Sequence, residues 1–415
     1  MRSWTSPSLT PLPASGRPLR LHDDRLGRMA TVIPQTPGTA RVYVCGITPY
    51  DATHLGHAAT YHAADLMRRA LRDTGHEVEL AQNVTDVDDP LLERAARDGV
   101  DWRALAAEQV DLFRRDMESL RILPPDDFVA VTDEVERVAE AVSFLQESGY
   151  AYEVPTDGAE GDDLYFDVNR PTDAWTLGDE SGLDRETMLA LAAERGGDPD
   201  RPGKRDPLDP LLWRAARDGE PAWDTEIGPG RPGWHIECSV IAGDRLGLPI
   251  SVQGGGSDLV FPHHEMSAGH AAALAHQPLA NAFVHTGMIA YQGTKISKSL
   301  GNLVTVRGLL DDGADPRAIR LALLSHKYSD DWEWFDTELT SAQTRLAGWD
   351  AWASGASAGH ADDAADVAAR IRARVSDDLD TPGAVAAVDT AIAGGTACTP
   401  ELLDLIDALL GIRLA

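Results

Sequence analysis

The amino-acid sequence predicts an α/β protein with a parallel sheet, an insertion within the sheet domain and a C-terminal helical domain. Short β-prone runs alternate with helical patterns over much of the 415 residues, which is typical of parallel sheets whose strands are joined by helices. Between about 154 and 231 this alternation stops, and Gly, Pro and Asp accumulate. After about 333 the chain is rich in Ala and Asp, with apolar residues at helical spacing.

The first half of the predicted sheet domain covers residues 41–153 and follows an irregular, proline-rich arm at 1–40. Strands are expected where apolar and β-branched residues form short runs, at 41–45 and 78–84. Helices are expected where apolar residues recur every three or four positions, at about 58–74, 91–96, 102–119 and 131–148.

The second half of the sheet domain covers residues 232–332, beyond the predicted insertion at 154–231. The same patterns predict helices at about 236–246 and 264–275, and strands at 250–253 and 282–288. Residues 333–415 are expected to form the helical domain, with helical spacing clearest at 367–371 and 402–410.

The charge balance argues against a nucleic-acid partner. The chain carries 37 Lys and Arg against 67 Asp and Glu, a net charge of -30, whereas proteins that grip nucleic acid usually present a basic face. No run of about 18 apolar residues is present, so no membrane partner is expected. Three cysteines far apart in sequence indicate a reducing compartment, so we expect a cytoplasmic protein, and we further expect a monomer.

A His-Leu-Gly-His string, His54 to His57, lies between the first predicted strand and the first predicted helix. A loop that leaves a parallel strand and opens a helix directs backbone N–H groups and the positive end of the helix dipole at a bound phosphate. Gly56 lets the backbone approach closely, and two imidazoles can donate to phosphate oxygens. The string alone is weak evidence, because ordinary loop histidines would look the same.

The second candidate is the segment Thr294-Lys-Ile-Ser-Lys-Ser299. Lysine occurs only at 204, 295, 298 and 327, so two lysines three residues apart indicate a local need for compact ammonium charges. Lys295 and Lys298 would suit a pyrophosphate whose charge grows as it leaves. A solvated surface loop is the alternative. However, an α/β chain in which the His54–His57 string precedes this lysine segment indicates adenylate chemistry with ATP as a substrate.

The third candidate is a metal site. Cys45 ends the first strand, Cys238 begins a helix, and Pro262-His-His-Glu265 opens another helix. Cys and His ligands suit zinc, and three protein ligands with one open position are the catalytic arrangement. A substrate thiol could occupy that position as a thiolate, because zinc lowers its pKa and favours soft sulfur. The spacing is not that of a zinc finger, so buried thiols without a metal are the alternative.

Five motifs, in order, resemble those of cysteinyl-tRNA synthetase, a class I synthetase. They are Cys45–His57, Asn83–Asp89, Gly233–Cys238, Gly254–Leu259 with Phe261–Glu265, and Lys295–Asn302. The resemblance covers about residues 41–327. It implies a class I nucleotide-binding sheet of the Rossmann-like (HUP) type, ATP with Mg²⁺, and one zinc ion per chain.

The sequence also departs from the synthetase pattern. Ser267 stands where the synthetase has a glutamate as its fourth metal ligand, Ala59 replaces an arginine, and Pro90 replaces a lysine. Residues 301–415 carry 9 Lys and Arg against 19 Asp and Glu, a net charge of -10 that suits a tRNA stem poorly. Glu194-Arg-Gly-Gly-Asp-Pro199 resembles a motif of the mycothiol-pathway ligases, relatives of the synthetase, and this second resemblance extends over the whole chain.

The resemblance to these ligases implies that L-cysteine is joined to the amine of glucosaminyl-inositol through a cysteinyl-adenylate. Cys45, Cys238 and His263 match the zinc ligands, with His264 as the nearest competitor of His263. The positions that match the adenylate pocket are Cys45, Gly46, Ile47, Thr48, Thr60, Asn83, Val84, Thr85, Trp234, Gly256, Ser257, Asp258 and Ile289.

The same resemblance implies the roles of the two histidines and the two lysines. His54 and His57 would meet the ATP phosphates, and Lys295 and Lys298 the departing pyrophosphate. Asp258 or a histidine of the pocket is the candidate base for the acceptor amine. Trp213 and Trp223 either line the site of the acceptor sugar or pack in the core.

Two other functions stay open from the sequence. A true cysteinyl-tRNA synthetase would require a basic, tRNA-binding tail. A non-catalytic paralogue that only binds cysteine or nucleotide would be expected to lose one of the four residues His54, His57, Lys295 and Lys298, all of which are present.

Overall fold

The computed structural model describes residues 1–34, 36–295, 303–355 and 361–414, and for residues 294, 295, 361 and 362 only the backbone. The strands are β1 (Arg20–Asp23), β2 (Arg28–Thr31), β3 (Thr39–Val44), β4 (Glu77–Val84), β5 (Asp127–Ala130), β6 (Ala151–Val154), β7 (Asp163–Phe166), β8 (Leu211–Ala215), β9 (Gly230–Pro232), β10 (Val252–Gly256), β11 (Phe283–Thr286), β12 (Ile289–Tyr291), β13 (Thr294–Lys295) and β14 (Trp332–Trp334). The α-helices are α1 (Leu55–Thr74), α2 (Asp89–Asp98), α3 (Trp102–Ser119), α4 (Val135–Glu147), α5 (Arg185–Glu194), α6 (Trp234–Leu246), α7 (Glu265–Ala275), α8 (Val306–Asp311), α9 (Pro316–Leu324), α10 (Asp336–Ser354), α11 (Ala361–Val375), α12 (Thr381–Ala393) and α13 (Pro400–Leu410).

The central sheet has the strand order β11-β10-β3-β4-β5, and every neighbouring pair is parallel. This confirms the predicted α/β class with a parallel sheet. From β3 the chain continues to β4 on one side, whereas β10 lies on the other side, so the connections diverge at the β3–β10 boundary. In open α/β sheets, ligands bind at the carboxyl ends of the strands where the connections diverge.

Alternate side chains of β3 pack into two different apolar layers, one on each face of the sheet. Val42 and Val44 pack into the cluster that contains α1, whereas Tyr43 and Cys45 pack into the cluster that contains α6 and α7. Successive side chains of a strand point to opposite faces. The side of the sheet on which Cys45 lies is therefore set by the register of β3.

Several elements differ from the sequence prediction. Residues 1–40 are not wholly irregular, because β1 and β2 form an antiparallel hairpin. β5 was not predicted, since its run of four residues is short. β10 extends to Gly256 rather than ending at 253, although glycine is a poor strand former. Pairing with β3 and β11 on both sides compensates for that weak preference.

The part of the chain between β5 and β10 forms a second sheet. Its strands have the order β6-β7-β8-β9 and pair antiparallel, with α5 between β7 and β8 in the chain. Strands β12, β13 and β14 form a third, small sheet. Beyond β14, the described part of the chain is helical. None of the described helices has the length and apolar character needed to cross a lipid bilayer.

A buried ion network joins α1 to the C-terminal helices. Asp65 Oδ2 accepts from Arg69 Nε at 2.8 Å and from Arg320 Nη2. Arg69 Nη1 also donates to the carbonyls of Asp407 and Ala408, and Arg320 Nε to that of Leu410. Burial raises the pKa of Asp65, but the charges of Arg69 and Arg320 outweigh it and lower that pKa to about 2.

We expect Asp65→Ala to lower the free energy of unfolding by about 3–5 kcal/mol, because it leaves two buried guanidinium groups without their carboxylate. Urea unfolding of the full chain measures the loss. Asp111→Ala is the matched control, since Asp111 pairs with Arg114 at the surface and its side chain is 60% exposed. This control should lose less than about 1 kcal/mol.

The lowered pKa of Asp65 also makes the free energy of unfolding depend on pH. Because the pKa of Asp65 is depressed in the folded chain, its stabilisation is present above its ordinary pKa of 3.8 and is lost as the pH falls toward 2. Asp65→Asn should remove that part of the acid sensitivity. Equal losses in Asp65→Ala and Asp111→Ala would contradict this account.

Candidate active site and metal centre

A cavity of about 1010 Å³ opens at the carboxyl ends of β3 and β10. Its walls come from the loop after β3, the start of α2, the start of α6, the loop after β10 and residues 192–214. The predicted site residues that line it are Cys45, Gly46, Ile47, Thr48, His57, Thr60, Trp234, Gly256, Ser257 and Asp258. The structure therefore gathers most of the predicted adenylate pocket around one cavity.

Cys45, Cys238 and His263 form a buried cluster whose ligand atoms all lie within 4.8 Å of one another. The two Sγ atoms are 3.7 Å apart, and His263 Nε2 is 3.2 Å from Cys238 Sγ. Two zinc–sulfur bonds of 2.3 Å at a tetrahedral angle would hold their sulfurs about 3.8 Å apart. The donor set and its spacing therefore fit a zinc ion.

Three separate elements bring these ligands together. Cys45 directly follows β3 on the face that packs against α6, Cys238 lies in the second turn of α6, and His263 lies in the irregular turn between β10 and α7. His263 Nδ1 is 3.1 Å from His235 Nδ1, which fixes the orientation of the His263 ring. Its Nε2 is thereby directed at Cys238.

His264 occupies a different place from His263. Its Nδ1 is 2.7 Å from His285 Nε2, and its Nε2 is 3.3 Å from Cys45 Sγ. His285 Nδ1 lies 2.7 Å from Asp24 Oδ2 in the turn between β1 and β2. Asp24, His285 and His264 thus form a chain of contacts that runs from the N-terminal hairpin to the sulfur of Cys45.

The pKa values of the two buried thiols shift in opposite directions. Burial by itself raises the pKa of both. The hydrogen bond from Cys45 and the nearby charge of His263 nevertheless lower the pKa of Cys238 well below its ordinary value. Burial and the neighbouring Cys238 raise the pKa of Cys45. A divalent cation would bind both sulfurs as thiolates, so its binding would release thiol protons.

Ser267, which replaces the synthetase's glutamate, does not offer a carboxylate to the cluster. Its hydroxyl donates to the carbonyl of His235 at 2.9 Å, and its carbonyl accepts from the Ser239 hydroxyl at 2.8 Å. The residue therefore links α6 to α7. Within the described residues the cluster has three protein ligands, the number typical of a zinc site that keeps one position open.

Gly46 and Asn83 form the floor of the pocket. A Cβ on Gly46 would lie 1.5 Å from the carbonyl oxygen of Asn83, so no other residue fits. The backbone N–H of Gly46 donates to Asn83 Oδ1 at 2.8 Å, and Asn83 Nδ2 donates to Thr85 Oγ1 at 3.1 Å. Asn83 and Thr85 thus support the cavity from below rather than lining it.

Two predicted pocket residues belong to the core. Val84 and Ile289 have 0% and 2% of their surface exposed and pack in the apolar cluster beneath the sheet. The structure does not bring their side chains to the cavity. Trp213, one of the two tryptophans with open roles, is also buried in a core cluster, and Trp223 packs against the same cluster.

His54 and His57 begin α1 as stacked rings whose centroids are 3.8 Å apart. His54 Nδ1 accepts from the backbone N–H of His57, which places the ring proton of a neutral His54 on Nε2. Burial lowers the pKa of His54, and burial together with His54 lowers the pKa of His57 to about 3. Both rings are therefore neutral hydrogen-bond donors near neutral pH.

Residues that follow the lysine segment in the chain lie next to this helix start. Lys295 lies in β13, of which the backbone is described, and Lys298 lies outside the described residues. After the segment, Thr305 pairs with His54, and the carbonyl of Val304 accepts from the backbone N–H of Leu55. Val304 and Thr305 therefore lie against the start of α1, beside the His54–His57 motif.

Sequence reasoning overlooked several polar residues that line the same cavity, among them Asp88, Arg231 and Arg195. Asp88 caps α2, and burial raises its pKa to about 6. Arg231 pairs with Asp89, and Arg195 enters from the end of α5. Asp88 lies within the quoted motif Asn83–Asp89 and Arg195 within Glu194–Pro199, so the motifs contained the signal without indicating which residue faces the cavity.

A parallel sheet with a cavity at the carboxyl ends of its strands is the arrangement of nucleotide-binding α/β domains, and among these the chain belongs to the class I synthetases. The family described as "tRNA synthetases class I (C) catalytic domain" matches residues 31–344. Methionyl-tRNA synthetase of Mycobacterium tuberculosis, bound by methionyl-adenylate, has the same fold, with a TM-score of 0.59 and 16% identity over 90% of this chain and 88% of that chain.

The chain belongs to the branch of this family named L-cysteine:1D-myo-inositol 2-amino-2-deoxy-alpha-D-glucopyranoside ligase. The relative from Clavibacter michiganensis subsp. michiganensis is 57% identical over 100% of this chain and 99% of its own length. The relative from Clavibacter sepedonicus is 60% identical over 91% of this chain and 95% of its own length. These matches confirm the resemblance drawn from the motifs.

We expect Asp24→Asn to weaken zinc binding by about tenfold, because Asp24 orients the His264 ring against the ligand Cys45 through His285, and partners behind metal ligands usually contribute at least that much. Competition with a chromophoric chelator measures the affinity. Asp377→Asn is the control, since Asp377 pairs with Arg20 of the same hairpin and its side chain is 64% exposed. An unchanged zinc affinity in Asp24→Asn would show that the contact chain to Cys45 does not orient the site.

Proposed function

We propose that the chain ligates L-cysteine to the amine of glucosaminyl-inositol, using ATP and forming Cys-GlcN-Ins, AMP and diphosphate. The observation that carries this proposal is the cluster of Cys45, Cys238 and His263 beside a class I nucleotide cavity. Full-length relatives named for this ligation support the choice of acceptor.

The first half-reaction activates cysteine. Its carboxylate attacks the α-phosphorus of ATP, an oxygen–phosphorus bond forms, and the bond to the bridging oxygen of pyrophosphate breaks. His54 and His57 would donate to the phosphate oxygens as neutral rings, and Lys295 and Lys298 would balance the charge of the departing pyrophosphate, with Mg²⁺ as its counter-ion. Positioning and charge stabilisation supply the rate enhancement, and no covalent enzyme intermediate is needed.

Cys45, Cys238 and His263 would hold one zinc ion at the amino-acid end of the cavity. Zinc, when bound, supplies a charge that keeps a thiol ionised and favours sulfur over oxygen. Gly46 and Asn83 keep the pocket floor close to this end, and Trp234 covers it, with its ring centroid 4.5 Å from that of His263. Serine has the same shape as cysteine but lacks the sulfur, so this pocket would reject it.

The second half-reaction forms the amide. The acceptor amine attacks the carbonyl carbon of the cysteinyl-adenylate, a carbon–nitrogen bond forms, AMP leaves, and the nitrogen loses a proton. Asp258 stands at the cavity wall as the proposed base. Its Oδ1 lies so close above Gly256 that a Cβ there would be only 2.5 Å away, which directs the carboxylate across the loop. A histidine of the pocket, such as His57 or His235, is the alternative base. Burial lowers the pKa of both rings, so each is neutral and able to accept a proton.

A cysteinyl-tRNA synthetase is the second candidate function, because the catalytic motifs are shared with that enzyme. The net charge of -10 over residues 301–415 works against it. A non-catalytic paralogue is disfavoured because His54 and His57 are present and stacked at the helix start.

Purified full-length protein tests the proposal in two assays. We expect L-cysteine to drive exchange of labelled pyrophosphate into ATP, with serine at least about 10⁴-fold less effective. We also expect ATP-dependent formation of Cys-GlcN-Ins with glucosaminyl-inositol and no charging of tRNA. Charging of tRNA without ligation would establish the synthetase instead, and absence of exchange with zinc-loaded protein would establish a non-catalytic protein.

A further inference from the structure

Arg195 ties the end of α5 to the loop that follows β10. One guanidinium nitrogen, Nη1, donates to the carbonyl oxygens of Asp258 and Phe261, each at 2.5 Å. This loop carries Asp258 at the cavity wall and leads to His263. The contact therefore links the segment around the second sheet to the adenylate side of the cavity.

Two glycines hold Arg195 in this place. Gly196 has a φ of +84°, in the left-handed region that favours glycine. A Cβ on Gly197 would lie 2.6 Å from the carbonyl oxygen of Ala192, so the chain turns tightly back over the end of α5. The motif Glu194–Pro199 thus presents the Arg195 side chain to the cavity at the point where the helix stops.

Arg195 differs from the other cations of this wall. Arg214 pairs with Glu220, Arg231 with Asp89, and Lys204 with Asp198. Arg195 forms no ion pair among the described residues, and its only hydrogen-bond acceptors there are the two neutral carbonyls. Nε and Nη2 are thus left as charge-bearing donors at the wall of the cavity.

We propose that Arg195 binds hydroxyl groups of the second, amine-free ring of the acceptor, a cyclitol. This inference rests on the proposed function. The amine must reach the adenylate carbonyl beside Cys45, whereas Arg195 lies on the wall formed by residues 192–214, beyond Asp258. A guanidinium fixed through one nitrogen loses little freedom when its other nitrogens donate to vicinal hydroxyls.

The phosphates of ATP are the other possible partner of this cation. They are expected at the start of α1, where His54 and His57 stack and Thr305 returns. The hydrogen bonds of Arg195 to the described residues are made on the other side of the cavity, at Asp258 and Phe261. The assay of the first half-reaction separates the two partners, because only a phosphate contact would affect it directly.

Arg195→Ala is tested by steady-state ligation with two acceptors, glucosaminyl-inositol and glucosamine, which lacks the cyclitol. We expect the KM for glucosaminyl-inositol to rise about tenfold to a hundredfold, as for lost hydrogen bonds to a charged group. The kcat/KM for glucosamine, measured at high concentration, should fall by a clearly smaller factor than that for glucosaminyl-inositol, because with glucosamine only the contact to the loop of Asp258 is lost. Pyrophosphate exchange should also fall by a smaller factor than the acceptor KM rises. Arg195→Lys should give an intermediate KM, because one ammonium cannot serve both the carbonyls and the hydroxyls.

Arg185→Ala is the matched control. Arg185 lies at the opposite end of α5, pairs with Asp206 and does not line the cavity, so the control should behave as wild type.

Equal losses with both acceptors, or a fall in exchange that matches the rise in KM, would overturn the inference, as would an unchanged KM. If Arg195→Ala does not fold, Arg195→Lys decides the question. Its KM should rise more for glucosaminyl-inositol than for glucosamine. Failure of the wild type to ligate glucosaminyl-inositol would instead overturn the proposed function.

Discussion

The convergence of Cys45, Cys238 and His263 is the constraint on which the rest of the site depends. These residues come from three elements that only the strand order of the parallel sheet makes adjacent. The register of β3 turns Cys45 toward α6, and the loop after β10 brings His263 back over the same helix. A slip of one residue in β3 would direct Cys45 to the opposite layer, and the cluster would not form.

Residues that are remote in sequence support the cluster from two sides. The N-terminal hairpin supplies Asp24, which reaches Cys45 through His285 and His264. On the other side, Glu265 accepts hydrogen bonds from Trp175 Nε1 and from the backbone N–H groups of Gly178 and Ser181. Together with Arg195, these contacts hold both ends of the segment 258–265, so the hairpin and the segment around the second sheet serve one centre.

The sequence was sufficient for the class of fold and for the side of the cavity formed after β3 and β10, because both depend on local patterns and on motifs with fixed spacing. It was insufficient where a residue acts through distant partners. Asp24 and His285 are separated by 261 positions, and nothing in the neighbourhood of Asp24 marks it as part of the site. Asn83 was predicted to line the pocket but supports Gly46 from below, since motif matching identifies a position and not the direction of its side chain.

The central claim is that the cluster holds a metal with one position for the sulfur of the amino acid. Its most direct test is the absorption spectrum of the cobalt-substituted protein during titration with L-cysteine and, separately, with L-serine. The claim predicts that cysteine, and not serine, increases the sulfur-to-cobalt charge-transfer absorption by about half, as two thiolates become three. Identical spectra with the two amino acids, or a protein that takes up no cobalt while Cys45 and Cys238 are reduced, would contradict it.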